Sequence, residues 1–251
     1  FLNLPHTIAS FLIESSAGPI LIETGPHSTI KAMEKELAIC GYKIEDIKHV
    51  FLTHIHLDHA GAAWVFAEQG AKIYVHPFGA KNMEDPSRLM ESATRIYGDK
   101  MDELWGQMKK IPVEQLVEVG DEEVIQIGDV AIKSWHTPGH ARHHIAWQMG
   151  EVVFTGDVAG VKIDQGIVVP PCPPPDINIE DWKNSIAILR RLNPKQLYLT
   201  HYDKIENIDQ HFNELEVMLD DWSAWIKSHW EGGETNEEMV PQFMQHVAGQ
   251  L

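Results

Sequence analysis

The chain has 251 residues, 43% hydrophobic and 23% charged, with 37 acidic against 20 basic side chains and a formal net charge of −17. This is the composition of an ordinary soluble globular protein; it disfavours nucleic acid, whose partners present a basic face, and no apolar run approaches the ~18 residues of a membrane span, so neither partner is expected. Two cysteines cannot build a disulfide framework, and the fifteen histidines are the outlying number.

The chain begins at Phe1 rather than Met, with residues that already read as structured. Natural N-terminal residues can therefore be missing, and a cytoplasmic location is expected with a removed signal peptide left open. Ile8 to Glu14 and Pro19 to Glu23 predict two strands joined by the turn Ser15-Ser16-Ala17-Gly18. Ser28 is placed to cap a helix whose apolar residues Ile30, Met33, Leu37 and Cys40 keep helical spacing up to Gly41, with Cys40 a small core residue. A buried strand over 48–53 runs into His54-Ile55-His56-Leu57-Asp58-His59, followed by a helix over 62–69 and a strand over 72–76. Residues 78–112 lose the strand rhythm and read as a helical insertion, with Tyr97, Met101, Trp105 and Met108 in its apolar set.

Strands return at 122–127, 129–136, 144–149 and 151–155. The proline-rich stretch 168–175 fits neither a helix nor a central strand and is expected as a stiff surface loop. Asn178 caps a helix carrying Trp182, Ile186, Leu189 and Leu192, which Pro194 stops. A strand over 196–200 leads to His201, and a long helix over 206–227 and one more short helix end the chain. No linker separates two compositions, so one domain over 1–251 is expected, with the helices of 206–251 packed on it. Val50 to His54 and Leu197 to His201 both read strand, Thr, His. Two similar halves packing their sheets face to face, with helices outside, give an α/β four-layer αββα sandwich.

Four of the six residues from His54 to His59 are metal-binding side chains, placed where a strand gives way to a loop. His140 in Thr137-Pro138-Gly139-His140, Asp157 in Thr155-Gly156-Asp157, and His201 stand at comparable strand ends. Five histidines and two aspartates are too many for one tetrahedral zinc and fit two metals sharing a bridge.

In order and spacing these residues resemble the metallo-β-lactamase-fold superfamily, over about four-fifths of the chain from Ile8 to His201. The resemblance implies that His54, His56 and His140 hold one metal, Asp58, His59 and His201 a second, and that Asp157 bridges them. It implies two divalent transition metals, zinc first and iron or manganese as alternatives. Their bound hydroxide would attack an ester, thioester or lactone carbonyl, with Asp58 as proton relay and Asp157 as the second catalytic carboxylate. Glu23 occupies a position that is commonly Asp in the superfamily, where it supports the ligand loop; otherwise it caps the segment that follows.

Among the branches, Asp157 argues against true β-lactamases. Asp58-His59-Ala60-Gly61 resembles quorum-signal lactonases, although Gly160 stands where several of them carry Tyr. The acidic C-terminal part does not favour glutathione, and the segment around Asp176-Ile177-Asn178 and Trp182 looks like an uncharacterised glyoxalase-II-like group. An iron-dependent redox enzyme or a non-catalytic metal-binding protein on the same ligand frame are the alternatives.

Substrate preference is expected from residues 78–112 and 159–176. Tyr97, Met101, Trp105 and Met108 form either an apolar pocket wall or ordinary core. His144 is placed to reach the metals or substrate, with at least one of His143 and His144 expected at the surface. Tyr202 is placed to donate to a developing oxyanion or to pack in the core. A small-molecule substrate is the expected partner, and a homodimer is compatible with the sequence.

Overall fold

The computed structural model describes residues 1–251 except 3, 164–165, 174 and 251, and only the backbone at 203. Among the described residues eleven strands form two sheets. The first has the order β1 (Phe11–Ile13), β2 (Ile20–Ile22), β3 (His49–Phe51), β4 (Lys72–Val75) and β5 (Leu116–Glu118), with β1 antiparallel to β2 and the others parallel. The second sheet contains β6 (Val124–Ile127), β7 (Val130–His136), β8 (Ile145–Met149), β9 (Val152–Gly156), β10 (Gln196–Leu199) and β11 (Asp203–Ile205), side by side in chain order. Its pairs are antiparallel except β9 with β10. Nine α-helices complete the described chain: α1 (Ile30–Ile39), α2 (Leu57–Ala60), α3 (Ala63–Glu68), α4 (Pro77–Glu84), α5 (Ser87–Tyr97), α6 (Met101–Leu104), α7 (Ile179–Arg191), α8 (Ile208–Glu231) and α9 (Asn236–Ala248).

Alternation along the strands divides the apolar residues among three cores. Leu21, Val50, Ile73 and Val75 pack under Leu37 of α1, Phe66 of α3 and Met83 of α4. Their strand neighbours Ile20, Ile22, Phe51 and Tyr74 point the other way and meet Ile132, Ile145, Trp147 and Phe154 of the second sheet. Val153, Leu197 and Leu199 leave the far face of that sheet and pack against Trp182 and Ile186 of α7 and Phe212, Leu215 and Leu219 of α8. The order of layers is helix, sheet, sheet, helix, the αββα arrangement that the sequence predicts.

Several local expectations are corrected. Cys40 is exposed, because α1 ends one residue earlier and Cys40 turns away from the core. Ser28 does not cap α1; its hydroxyl donates to the Leu104 carbonyl 2.6 Å away. The helical insertion stops at Leu104, and β5, which carries no alternating pattern long enough to notice, follows it. β11 occupies a stretch between His201 and the expected helix for which no element is predicted, and α8 begins at Ile208, two residues after its expected start. The proline-rich loop is not all surface: Val168 and Pro170 are buried, and Val169 pairs with Val161. Pro174, inside that loop, and residues 164–165 of the expected substrate loop lie outside the described residues. Asn178 caps α7 as predicted, its side-chain oxygen accepting from the Asp181 amide at 3.0 Å. No helix among the described residues is long and apolar enough to cross a membrane.

Candidate metal centre

Parallel pairing of β9 and β10 delivers the residues after both strands, Asp157 and His201, to one end of the second sheet. The loop after β3 is drawn to the same end by β8, whose Ile145 amide donates to the Thr53 carbonyl (2.7 Å) and whose Trp147 indole donates to the Leu52 carbonyl (3.0 Å). His54 to His59 therefore enters the crevice between the sheets. The turn from β7 to β8 adds His140.

Three groups result whose ligand atoms lie within 4.8 Å of one another: His54, His56 and His140; His54, His59 and Asp157; and Asp58, His59 and His201. His56 Nδ1 lies 2.9 Å from His54 Nε2 and 3.0 Å from His140 Nε2. His201 Nε2 lies 3.2 Å from Asp58 Oδ2. Asp157 spans the set: Oδ1 is 3.2 Å from His59 Nε2 and 3.5 Å from His201 Nε2, while Oδ2 is 3.3 Å from His140 Nε2. All seven residues singled out in the sequence are thus brought together.

Four of the five inward-facing imidazoles are aimed by a contact behind them. Nδ1 of His54 meets the Thr53 hydroxyl at 3.0 Å, that of His59 the Glu23 carboxylate at 2.9 Å, that of His140 the Pro171 carbonyl at 2.8 Å, and that of His201 the Thr7 carbonyl at 2.8 Å. Such outer partners fix ring orientation and tautomer, leaving the other nitrogen for a metal. Glu23 also accepts from the Thr53 amide at 2.7 Å, so one buried carboxylate braces both ends of the ligand loop. Its backbone φ of 64° is a conformation that side chains rarely adopt, held here by the surrounding contacts. Of the two expectations for Glu23, support of the ligand loop is the one its contacts match.

His143 and His144 are both buried, which corrects the expectation that one would be exposed. His144 Nε2 accepts from the Asp157 amide (3.2 Å) and its Nδ1 meets the Thr137 hydroxyl (2.8 Å), so it positions Asp157 from behind. Gly156 makes room for this: with φ of 50°, an added Cβ would stand 2.5 Å from Thr53 Oγ1 and 2.7 Å from His144 Nε2.

Charge divides the histidines into two kinds. Burial pushes His54 and His56 well below the usual imidazole range, and the neighbouring imidazoles push the same way. Burial also lowers His140, against the pull of Asp157. At His59 and His201 burial acts in the same direction, but the carboxylates of Asp157 and Asp58 outweigh it, with Glu23 adding to them at His59. His59 is held well above its ordinary value and His201 up at about 9. Burial would raise the two aspartates, and the cationic His59 and His201 hold both well below the carboxylate range.

The donor set fits metal ions. His59 Nε2 and Asp157 Oδ1 are buried and make no hydrogen bond, a costly state for polar atoms that a cation between them would relieve. Imidazole and carboxylate donors suit zinc, iron and manganese alike.

The expected pocket wall splits. Met101 and Met108 are buried in the core beneath the first sheet. Trp105 packs against that core from outside, its ring stacked on Phe1 and edge-on to Tyr97 with centroids 5.4 and 5.2 Å away. Tyr97 is 37% exposed, and burial, helped by the Asp58 charge, raises its phenol. The Tyr202 ring stacks on His6 at 5.0 Å. The carbonyls of Thr7 and Pro171 have no sequence signal, since any residue supplies a carbonyl; the spacing of His144 from His140 was the available clue to its role.

Known proteins are similar to this chain in sequence and fold. A metallo-β-lactamase fold-containing protein of Sulfurisphaera tokodaii is 31% identical over 170 residues, 63% of this chain and 61% of its own length. A solved archaeal metallo-β-lactamase superfamily protein from Sulfolobus tokodaii superposes with a TM-score of 0.69 at 25% identity, covering 86% of this chain and 82% of its own. An atrochrysone carboxyl ACP thioesterase of Aspergillus fumigatus is 25% identical over 150 residues, 59% of this chain but 28% of its own length. The match to the Sulfurisphaera relative thus spans less than two thirds of that protein. With the model of the metallo-beta-lactamase superfamily matching residues 4–201, which include every candidate ligand, the chain belongs to that superfamily.

Proposed function

We propose that the chain is a hydrolase with two divalent metals, acting on an ester, thioester or lactone bond of a small molecule. Zinc is the first candidate, and iron and manganese suit the same donors. The observation that carries this reading is Asp157, whose two carboxylate oxygens face different histidine groups, so that one side chain spans both. The pair, when bound, supplies Lewis acidity towards a carbonyl oxygen and lowers the pKa of a bound water.

The chain's own residues orient that chemistry. Glu23, Thr53, Pro171 and Thr7 hold four imidazoles in fixed orientations. His144 and Gly156 hold Asp157 in place. Asp58 differs from Asp157 in exposure, with 24% of its side chain accessible against 5%. It is the carboxylate that an entering substrate meets, and we assign it the proton of the attacking water and its transfer to the leaving oxygen or sulfur. The thioesterase from Aspergillus supports the thioester among the three bond types.

The test is a panel of p-nitrophenyl esters, acyl thioesters and lactones, assayed after reconstitution with zinc, manganese or iron, with oxygen uptake followed in parallel. Hydrolysis of one class with two metals bound is the expected result. Oxygen consumption without hydrolysis, or turnover with one metal bound, would overturn the proposal.

A further inference from the structure

The chain that follows Asp157 is gripped by its backbone. Asp157, Val158 and Ala159 form one buried turn, and each of their carbonyls has a partner. The Asp157 carbonyl accepts from the Gly160 amide at 2.9 Å and the Val158 carbonyl from the Trp182 indole of α7 at 2.7 Å. The Ala159 carbonyl lies 2.7 Å from Nε2 of His211 in α8. Gly160 is pressed on the same helix: an added Cβ would stand 2.9 Å from Leu215 Cδ1. Two residues on, the Lys162 amide donates to the His201 carbonyl at 2.6 Å, and the Lys162 ammonium lies 3.7 Å from the Glu214 carboxylate of α8.

His211 is 2% exposed, and its helix neighbours Phe212, Leu215 and Leu219 are core residues. Its Nδ1 is buried without a hydrogen bond, a state that costs about 1–3 kcal/mol and that an apolar side chain in the same place would avoid. Burial holds the imidazole below its ordinary range, so the ring is neutral, and the Ala159 carbonyl, which only accepts, fixes the proton on Nε2. What the imidazole supplies and an apolar residue cannot is that donor, two residues beyond Asp157. Resting on the two-metal reading above, we infer that His211 is a positioning residue of the metal centre: it clamps the turn after Asp157 to α8, and through Lys162 it steadies His201.

The clamp bears on one half of the centre. Asp157 and His201 face each other at 3.5 Å, and His59 and Asp58 complete their surroundings at 3.2 Å from one or the other. His54 and His140 take their outer contacts elsewhere, from Thr53 and Pro171. Ligand groups need placement to within about 0.5 Å, so a turn released from Ala159 onward should cost affinity at the Asp58, His59 and His201 group first.

The test needs no assay of turnover. Zinc affinity is measured by chelator competition that resolves two dissociation steps, and amide exchange is followed in the metal-free protein. His211→Leu fills the space and removes the donor; His211→Asn keeps an amide that is too short for the carbonyl. Either should weaken one metal step about tenfold and leave the other within about threefold. Exchange at the Gly160 and Lys162 amides should rise about tenfold more than at Val153 in the neighbouring strand β9. His211→Gln, whose amide reaches the carbonyl, should restore both readouts. Leu219→Ala opens a cavity in the same core and should lower Tm by as much or more, with both metal steps kept. Unchanged metal steps in His211→Leu and His211→Asn would overturn the inference. So would an equal loss of both steps in His211→Leu and Leu219→Ala, since His211 would then be ordinary core. Selective weakening of one step in a protein that hydrolyses no substrate supports the clamp and overturns the hydrolase reading instead.

Discussion

The metal centre and the apolar groove lined by α8, by Phe243 of α9 and by Cys172, Ile177 and Ile179 are built from opposite materials. At the centre, buried imidazoles are answered by directional contacts from distant parts of the chain: Glu23 to His59, Pro171 to His140, Thr7 to His201. In the groove, Trp222, Ile226 and Phe243 offer area and almost no direction. Directional polar contacts in a dry site are costly to leave half-made, whereas apolar walls tolerate exchange at constant volume. The metal centre should therefore be brittle to substitution and the groove tolerant of it.

The largest break in this contrast is expected at Asp157. Asp157→Ala removes the carboxylate that faces His59 and His201 with one oxygen and His140 with the other. Replacing outer contacts of metal ligands typically costs about 10–100-fold in affinity or activity, and loss of the bridge should exceed about 100-fold. Metal content should fall together with hydrolysis. Two metals retained at full activity would show that Asp157 is not a ligand.

Glu23 comes next. Glu23→Gln keeps the shape but replaces the charged acceptor for His59 Nδ1, so affinity at the His59 metal should drop about 10–100-fold while the His54, His56 and His140 group keeps its own metal. Chelator competition that resolves two dissociation steps reads this directly. Equal weakening of both steps would mean that Glu23 acts on the whole loop through Thr53 rather than on one ligand.

The same charges give the metal-free protein a pH dependence. His201 is held up at about 9 against an unfolded value of about 6.5, so its ion pairs with Asp157 and Asp58 contribute stability that is fully present below about 6.5 and is lost as pH rises through about 9. The Tm of the metal-free protein should fall between pH 7 and 10. The metal-loaded protein, whose nitrogens hold cations in place of protons, should not follow it. Parallel curves for both forms would remove His59 and His201 from the ligand set.

Gly139 tests how tightly the turn carrying His140 is packed against α7. Its φ is 130°, and an added Cβ would collide with the backbone of Trp182 at the start of α7. Gly139→Ala should cost about 1–3 kcal/mol by overpacking alone and displace His140, visible as a lower Tm and weaker metal binding together. A loss of Tm with unchanged metal binding would mean that α7 and His140 move independently.

How much of this was legible depends on what kind of contact each feature uses. His54 to His59, His140, Asp157 and His201 announced themselves because metal-binding side chains cluster at strand ends, and the four layers followed from strand alternation and one repeated strand-Thr-His pattern. Backbone contacts left no trace: the carbonyls of Thr7 and Pro171 orient two ligands, and nothing in the identity of either residue says so. His143 and His144 were misjudged because adjacent residues in a strand face opposite ways, which suggests that one is exposed. In the structure both lie in the turn before β8, which begins only at Ile145, so the alternation does not apply and both are buried.

Cys40 gives the smallest effect and the sharpest check on that lesson. Helical spacing from Leu37 puts it on the apolar side, but α1 stops at Ile39 and the thiol ends in solvent. A core cysteine replaced by serine would bury a hydroxyl without a partner, a cost of about 1–3 kcal/mol. At an exposed helix end Cys40→Ser should change stability by less than about 0.5 kcal/mol. Equilibrium urea unfolding resolves the two outcomes. A loss above about 1 kcal/mol would return Cys40 to the core and extend α1 by the turn that Gly41, with its φ of 86°, now ends.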